Sequence, residues 1–302
     1  LNQTYANFMV VINDQSDSPV ERDDALRDLL TLAKTIGHEI KIIRTEGGWK
    51  RHQQAMEAVP ESIEFILRID DDMLPDAGFL ENILKPFRFF ADRPLAAVGG
   101  CNPEPAMKPV NLDVNLTDSN WTSTLEEPTW RLQGHYYYND PQVIEVESLN
   151  GGAICYRRGA VEHAGGWAVE GYSDHAFREE NDLCARLLEK NYTIMVTTEA
   201  LAWHLLAPGG GAREFIKNPR GNFLISDKSG IESDNRLFHE RMNAIFAKRG
   251  PAAGEPRRYK ISDLEKNVYK GSPLRTLKGR TLKIIEGVLL RKVRGLYWYF
   301  TK

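Results

Sequence analysis

The stretch Phe65-Ile-Leu-Arg-Ile-Asp-Asp-Asp72, followed by Met73-Leu-Pro75, decides the fold. It reads as a short apolar strand that runs into three consecutive acids and then into a helix-period segment, Ala77–Phe90. Alternate side chains of an extended backbone share a face, so the spacing predicts that Asp70 and Asp72 project together while Asp71 points away. Two carboxylates so placed repel each other unless a cation lies between them. Oxygen donors suit Mg²⁺ or Mn²⁺, and the carboxyl ends of strands are where open α/β sheets bind ligands. The competing reading is a helix cap, for which one acid would be enough.

Working outward, further strand-like runs occur at Phe8–Asn13, Glu39–Arg44, Leu95–Gly99, Val143–Glu147, Gly152–Tyr156 and Tyr192–Thr197. Helical periodicity fills Val20–Ile36, Trp49–Val59, Arg178–Lys190 and Asn235–Arg249. Strands alternating with helices predict an α/β fold, a mostly parallel Rossmann-like sheet flanked by helices, with a C-terminal helical extension. The stretch from Cys101 to Val143 breaks the pattern with prolines, Asn and Asp, and Gly209-Gly-Gly211 marks a link. These features predict one domain over 1–211 and a helical extension over 212–302.

Within Arg178–Lys190, Glu180 shares a stripe with Cys184, Leu187 and Leu188, so it is expected to face the protein body. Asp182 aligns with Arg178 and Arg186 and is expected on the solvent side. An inward acid in a first helical turn is favoured as a carboxylate by the helix dipole, which suits a general base. His204, in Ala202-Trp-His-Leu-Leu206, is an imidazole that could join carboxylates around a metal or simply be a packed histidine.

Composition narrows the function class. With 302 residues, 42% hydrophobic and 27% charged, the chain is neither disordered nor fibrous. Three scattered cysteines without a CxxC pair predict neither a zinc knuckle nor a disulfide framework, and point to a reducing, cytoplasmic setting. No apolar run reaches about eighteen residues, so neither a spanning helix nor a signal peptide is expected. The net charge of -3 hides an asymmetry, because residues 255–302 hold 13 Lys and Arg against 4 Asp and Glu. Segment 273–302 interleaves cations with Leu282, Ile284, Ile285 and Val288 and ends in Tyr297-Trp-Tyr-Phe300. It reads either as an interfacial helix on an anionic membrane, peripheral to its inner face, or as a helix docked on the body. The acidic remainder of the chain and the lack of a recognised module argue against nucleic acid as a partner.

Taken in order, these segments resemble family-2 glycosyltransferases of the GT-A fold. Val10-Val-Ile-Asn-Asp-Gln-Ser16 is similar to the family's "vvDDgS" and Gly47-Gly-Trp-Lys-Arg-His-Gln-Gln54 to its donor-side segment. Arg68-Ile-Asp-Asp-Asp72 is similar to its DxD motif. Asn150-Gly-Gly-Ala-Ile-Cys-Tyr-Arg-Arg158, with Ala164-Gly-Gly-Trp167, resembles "nGa....rR......GGf". Glu179-Glu-Asn-Asp-Leu-Cys-Ala-Arg186 resembles "EDxdlxxR".

The resemblance implies an inverting transfer from a nucleoside-diphosphate sugar to an acceptor hydroxyl, on a glycan or a lipid-linked acceptor. It implies Mn²⁺ or Mg²⁺ held by Asp70, Asp72 and His204, and Glu180 as the base. It implies Asp14, Lys50, Arg51, Asp71, Gly151 and Gly152 on the donor and Trp167 and Glu179 toward the acceptor. Plain packing is an equal reading for Trp167. The chain departs from the family in having Glu180 where Asp is usual. It also offers no counterpart to the family's first strand, so the expectation is a domain that lacks its N-terminal part. The rival readings are a nucleotidyltransferase built on the same acid and metal chemistry, and a non-catalytic glycan- or membrane-binding module.

Overall fold

The computed structural model describes residues 3–45, 50–103, 141–149, 151–167, 170–173, 176–205, 209–210, 213–214, 228–249 and 257–269. Strand β1 (Met9–Asp14) leads through helix α1 (Asp24–Thr35) to β2 (Glu39–Arg44), and α2 (Arg51–Glu57) follows. Asp23 caps α1 by accepting a hydrogen bond from Leu26 N at 2.9 Å. Next come β3 (Phe65–Ile69), β4 (Met73–Pro75), α3 (Phe79–Phe89) and β5 (Leu95–Cys101). After them stand β6 (Gln142–Val146), β7 (Ala153–Arg157), α4 (Arg158–His163), α5 (Glu179–Glu189), β8 (Thr193–His204) and α6 (Lys228–Arg249).

The α/β class expected from the sequence is the class observed. Strand directions within it are mixed, and this corrects the expectation of a mostly parallel sheet. β1 and β2 pair in parallel, as do β5 and β8. β7 lies antiparallel between β3 and β5, and β6 lies antiparallel on β8. The central order is therefore β6-β8-β5-β7-β3, with β4 paired to the far end of β8. β5 is buried along its whole length, and Ile154, Tyr156, Leu183, Cys184 and Leu187 join the core between β7 and α5. The three cysteines are free and buried.

β8 is the element that brings the site together. Its first half pairs with β5 and β6, the register shifts near Gly99, and its last residues pair with β4, placing Met73 opposite His204. A strand of twelve residues thus carries His204 from the core to the acid triplet. The sequence pattern shows only the first half of it, Tyr192–Thr197.

The chain divides into two compact units, Leu1–Arg258 and Tyr259–Lys302. The second contributes helix α7 (Ile261–Tyr269) to the described residues. Residues 104–140, most of the stretch from Cys101 to Val143 that breaks the sequence pattern, and the basic segment 273–302 lie outside the described residues. Gly209–Gly210 pairs with Arg213–Glu214 in a two-residue antiparallel ladder. Among the described residues no helix is long and apolar enough to cross a membrane.

Candidate active site

The acid triplet lies in a turn and not along a strand. β3 stops at Ile69, Met73 N donates to Asp70 O at 3.3 Å, and β4 begins at Met73. Aspartate favours turns because its carboxylate competes for nearby backbone groups. The alternation argument therefore fails here, and the three carboxylates part company. Asp72 Oδ2 lies 3.1 Å from His204 Nε2, and Leu205 N donates to Asp72 O at 2.8 Å. Asp70 Oδ1 instead lies 3.1 Å from Arg68 Nη2. Asp71 is exposed. Asp72 and His204 thus come together as the sequence reading expects, while Asp70 is held by a cation of its own strand.

Arg68 is the residue that sequence reasoning passed over, although it stands inside the quoted motif. Projecting from β3, its guanidinium reaches Asp70 at 3.1 Å, Glu179 at 3.9 Å and Glu180 at 3.9 Å. Burial alone would lower its pKa, but Asp70, Glu180 and Glu179 more than reverse that, so it stays protonated. Its Nε and Nη1 are buried without a hydrogen-bond partner among the described residues. A cation at the end of a strand, two residues before an acid cluster, was the signal that could have found it.

Glu179 and Glu180 open helix α5. Glu180 is partly exposed beside Gly151, and its pKa is raised by burial, with Arg68 pulling the other way. Glu179 is buried, with Arg51 Nη2 at 3.1 Å and His52 Nε2 at 2.6 Å. Burial lifts its carboxyl to about 7 despite Arg51 and Arg68. Burial also holds His52 well below the ordinary imidazole value, with Arg68 and Arg51 adding to the effect. Arg51, expected on the donor, is here a partner of Glu179, and Lys50 is exposed just ahead of α2.

The glycine pair meets a steric demand. Gly152 has φ +106°, and a Cβ there would stand 2.9 Å from Asn102 Nδ2. Its carbonyl accepts from Asp70 N at 2.8 Å, and Asn102 Nδ2 donates to Gly151 O at 2.9 Å. A Cβ on Gly151 would lie 3.1 Å from Arg68 Nη1 and 3.3 Å from Glu180 Oε1. Glycine thus lets the backbone pass close to the acid turn and its arginine.

Other expected residues are placed differently. Trp167 is 2% exposed and packs edge-on against Tyr156, with ring centroids 4.7 Å apart, so the packing reading describes it. Asp14 is buried, and its carboxylate accepts from Ser16 N at 3.0 Å, Val20 N at 3.1 Å and Arg44 Nη1 at 3.2 Å, besides a bond from Ser16 Oγ. Those bonds, led by that from Ser16, hold its pKa below the usual value. Asp14 thus fastens the turn after β1. Asp182 corrects the solvent-side expectation. It is fully buried and bonded by Arg186 Nε at 2.7 Å, Arg241 Nε at 2.5 Å and Tyr172 Oη at 3.2 Å. Helix α6 covers the face of α5 that periodicity alone assigns to water.

The donors fit a divalent cation in kind. Asp72 and His204 supply oxygen and imidazole nitrogen side by side, and both are partly exposed. Among the described residues no three such groups converge, because Asp70 is turned to Arg68.

No protein-family model matches the chain, and no curated protein matches its sequence. Solved structures do resemble it. The crystal structure of GalNAc-T7 with UDP, GalNAc and Mn²⁺ matches with a TM-score of 0.50 and 10% identity, over 80% of this chain and 45% of that one. The crystal structure of S. aureus TarS 1-349 matches with a TM-score of 0.43 and 14% identity, over 68% of this chain and 53% of that one. The chain therefore spans about half the length of these two crystallised chains, and 33% of a longer TarS chain. The GalNAc-T7 likeness is one of fold, and it makes this α/β unit GT-A-like.

Proposed function

We propose that the chain is a metal-dependent inverting glycosyltransferase that moves a sugar from a nucleoside-diphosphate donor to an acceptor hydroxyl. One observation carries the reading: a turn with three acids is held between His204 of β8 on one side and the Glu179–Glu180 turn of α5 on the other, with Arg68 joining the two carboxylate sets. The ordered motif resemblance and the GT-A-like fold support it.

Glu180 is the base in this reading. Its raised pKa strengthens it as a proton acceptor, and Arg68 keeps its charge compensated. The acceptor O–H proton passes to the Glu180 carboxylate, the new C–O bond forms at the anomeric carbon, and the bond to the diphosphate breaks with its electron pair leaving on phosphate oxygen. Asp72 and His204, with Asp70 once released from Arg68, would hold Mn²⁺ or Mg²⁺, which offsets the charge gained by the leaving diphosphate. In this reading the donor sugar lies beside the glycine pair, whose missing side chains let the backbone approach Arg68 and Glu180 closely. From its sequence alone, segment 273–302 is proposed to bring the chain to an anionic membrane, where a lipid-linked or envelope glycan would be the acceptor.

Thermal unfolding with a panel of nucleoside diphosphates, each with and without Mn²⁺, tests the reading. A ligand present at roughly a hundred times its Kd adds about 2.7 kcal/mol. Stabilisation by one diphosphate only when the metal is present is the expected result. Stabilisation that ignores the metal would overturn it.

A further inference from the structure

Helix α6 carries a buried carboxylate that the proposed chemistry does not use. Asp234 is fully buried and lies on one face with Phe238, Met242 and Ile245, the residues that pack against Tyr172, Ala176 and Ala185. A charge on an apolar stripe costs free energy unless it is well bonded. Asp234 accepts from Ser173 N at 2.6 Å, Ser173 Oγ at 2.7 Å and Phe177 N at 2.7 Å. All three bonds go to the segment that enters helix α5. Its neighbour Asn235 accepts from Arg178 Nε at 3.1 Å.

That segment is forced into an unusual shape. Ala176 has φ +47° and Arg178 φ +77°, both left-handed without being glycine. Arg178 is the residue immediately before Glu179, so its backbone sets the direction in which Glu179 and Glu180 leave the turn. Such a conformation persists only where its surroundings over-determine it.

We propose that Asp234 is a positioning residue for Glu179 and Glu180. From α6 it clamps the turn at Ser173 and Phe177, and the clamp aims the first turn of α5 at Arg68 and the acid triplet. The activity consequence rests on the transferase reading of Glu180, whereas the structural consequence stands apart from it.

The test measures Asp234→Ala, Asp234→Asn and Ser173→Ala by amide hydrogen exchange, thermal unfolding and steady-state turnover of nucleoside-diphosphate sugars. In Asp234→Ala, amide exchange over 176–181 is expected to rise by roughly tenfold or more while β5 and β8 keep wild-type protection. The kcat is expected to fall about 100-fold, with donor KM within about twofold, because the misplaced group acts in the chemical step. Ser173→Ala loses one of the three bonds and should show a smaller change in the same direction, and Asp234→Asn should fall between it and Asp234→Ala. Wild-type exchange over 176–181 in Asp234→Ala, or unchanged kcat in a variant with raised local exchange, would overturn the proposal. Should Asp234→Ala unfold throughout, Asp234→Asn and Ser173→Ala decide by the same local exchange. A wild-type chain that turns over no donor would count against the transferase reading, and the exchange result would still decide the role of Asp234.

Discussion

Glu179 Oε1 lies 2.6 Å from His52 Nε2, and this buried contact joins helix α5 to α2. Burial raises the carboxyl from its ordinary 4.5 to about 7, and burial together with Arg68 and Arg51 depresses the imidazole well below 6.5. Just below 6.5 the folded pair is a protonated acid beside a neutral imidazole, while the unfolded chain carries a carboxylate and an imidazolium. Each state holds one proton, so the pair contributes little pH dependence there.

Glu179→Gln breaks that balance. The carboxyl alone takes stability away as pH rises from 4.5 to about 7, because the folded form keeps a proton that the unfolded form has released. The imidazole alone takes stability away as pH falls below 6.5, because the unfolded form gains the proton. The variant keeps only the second effect. Relative to wild type its stability should climb with pH across the interval, by up to about 3 kcal/mol. Urea titrations at the two ends of the interval measure the difference, and parallel pH profiles would sink the assignment.

Arg68 separates Asp70 from the acid pair, and its removal leaves Asp70 and Glu180 without their shared cation. Arg68→Met should therefore cost about 3–5 kcal/mol, the range for breaking one side of a buried ion pair. Arg27, exposed and paired with Asp24 on α1, is the control, and Arg27→Ala should stay within about 0.5 kcal/mol of wild type. Urea midpoints compare the two, and equal costs would remove Arg68 from the centre of the site.

The sequence legibly marks where the elements lie, because strands and helices carry their periods locally. Glu39–Arg44 is the strand that its alternation suggests, and Glu179–Glu189 falls within the expected helix. What local period cannot show is which element covers which face. Asp182 reads as solvated until α6 lies over it, and nothing in the local period of β1 shows that Ser16, Val20 and Arg44 gather around Asp14. The pairing of Asp72 with His204 was legible only as a family resemblance, since it depends on β8 running on to meet β4. Arg68 went unread because acids drew attention to the motif, and an arginine on a strand looks like an ordinary exposed residue until its burial is known.

Asp71 and Asp72, neighbours in the turn, should differ sharply in their coupling to a metal. Asp72→Ala and His204→Ala remove the adjacent oxygen and nitrogen donors, and each should abolish the stabilisation that Mn²⁺ and a matching nucleoside diphosphate confer together. Both side chains are partly exposed, so either substitution should change the unliganded stability by less than about 1 kcal/mol. Asp71→Ala is the internal control, because its side chain is exposed and it should keep the full shift. A lost shift in Asp71→Ala beside a retained one in Asp72→Ala would reverse the assignment of ligands.

Gly152 tests whether the turn is built on backbone conformation. Its φ of +106° is one that side-chain-bearing residues rarely adopt, and a Cβ there would press on Asn102 Nδ2 at 2.9 Å and Met73 Sδ at 3.3 Å. Asn102 cannot simply swing aside, because Nδ2 donates to Gly151 O. Gly152 O in turn receives Asp70 N, so any shift of the backbone is passed to the acid turn. Gly152→Ala should therefore cost about 1–3 kcal/mol and weaken metal-dependent stabilisation as well. Gly159 gives the contrast: it sits in α4 with ordinary φ, and among the described residues nothing beyond its own helix lies within 4 Å of an added Cβ. There the alanine only narrows the unfolded ensemble, and Gly159→Ala should stabilise by about 0.4–1 kcal/mol. Thermal unfolding of the two variants with and without Mn²⁺ reads both effects. A neutral Gly152→Ala would mean that the acid turn does not depend on the left-handed residue beneath it.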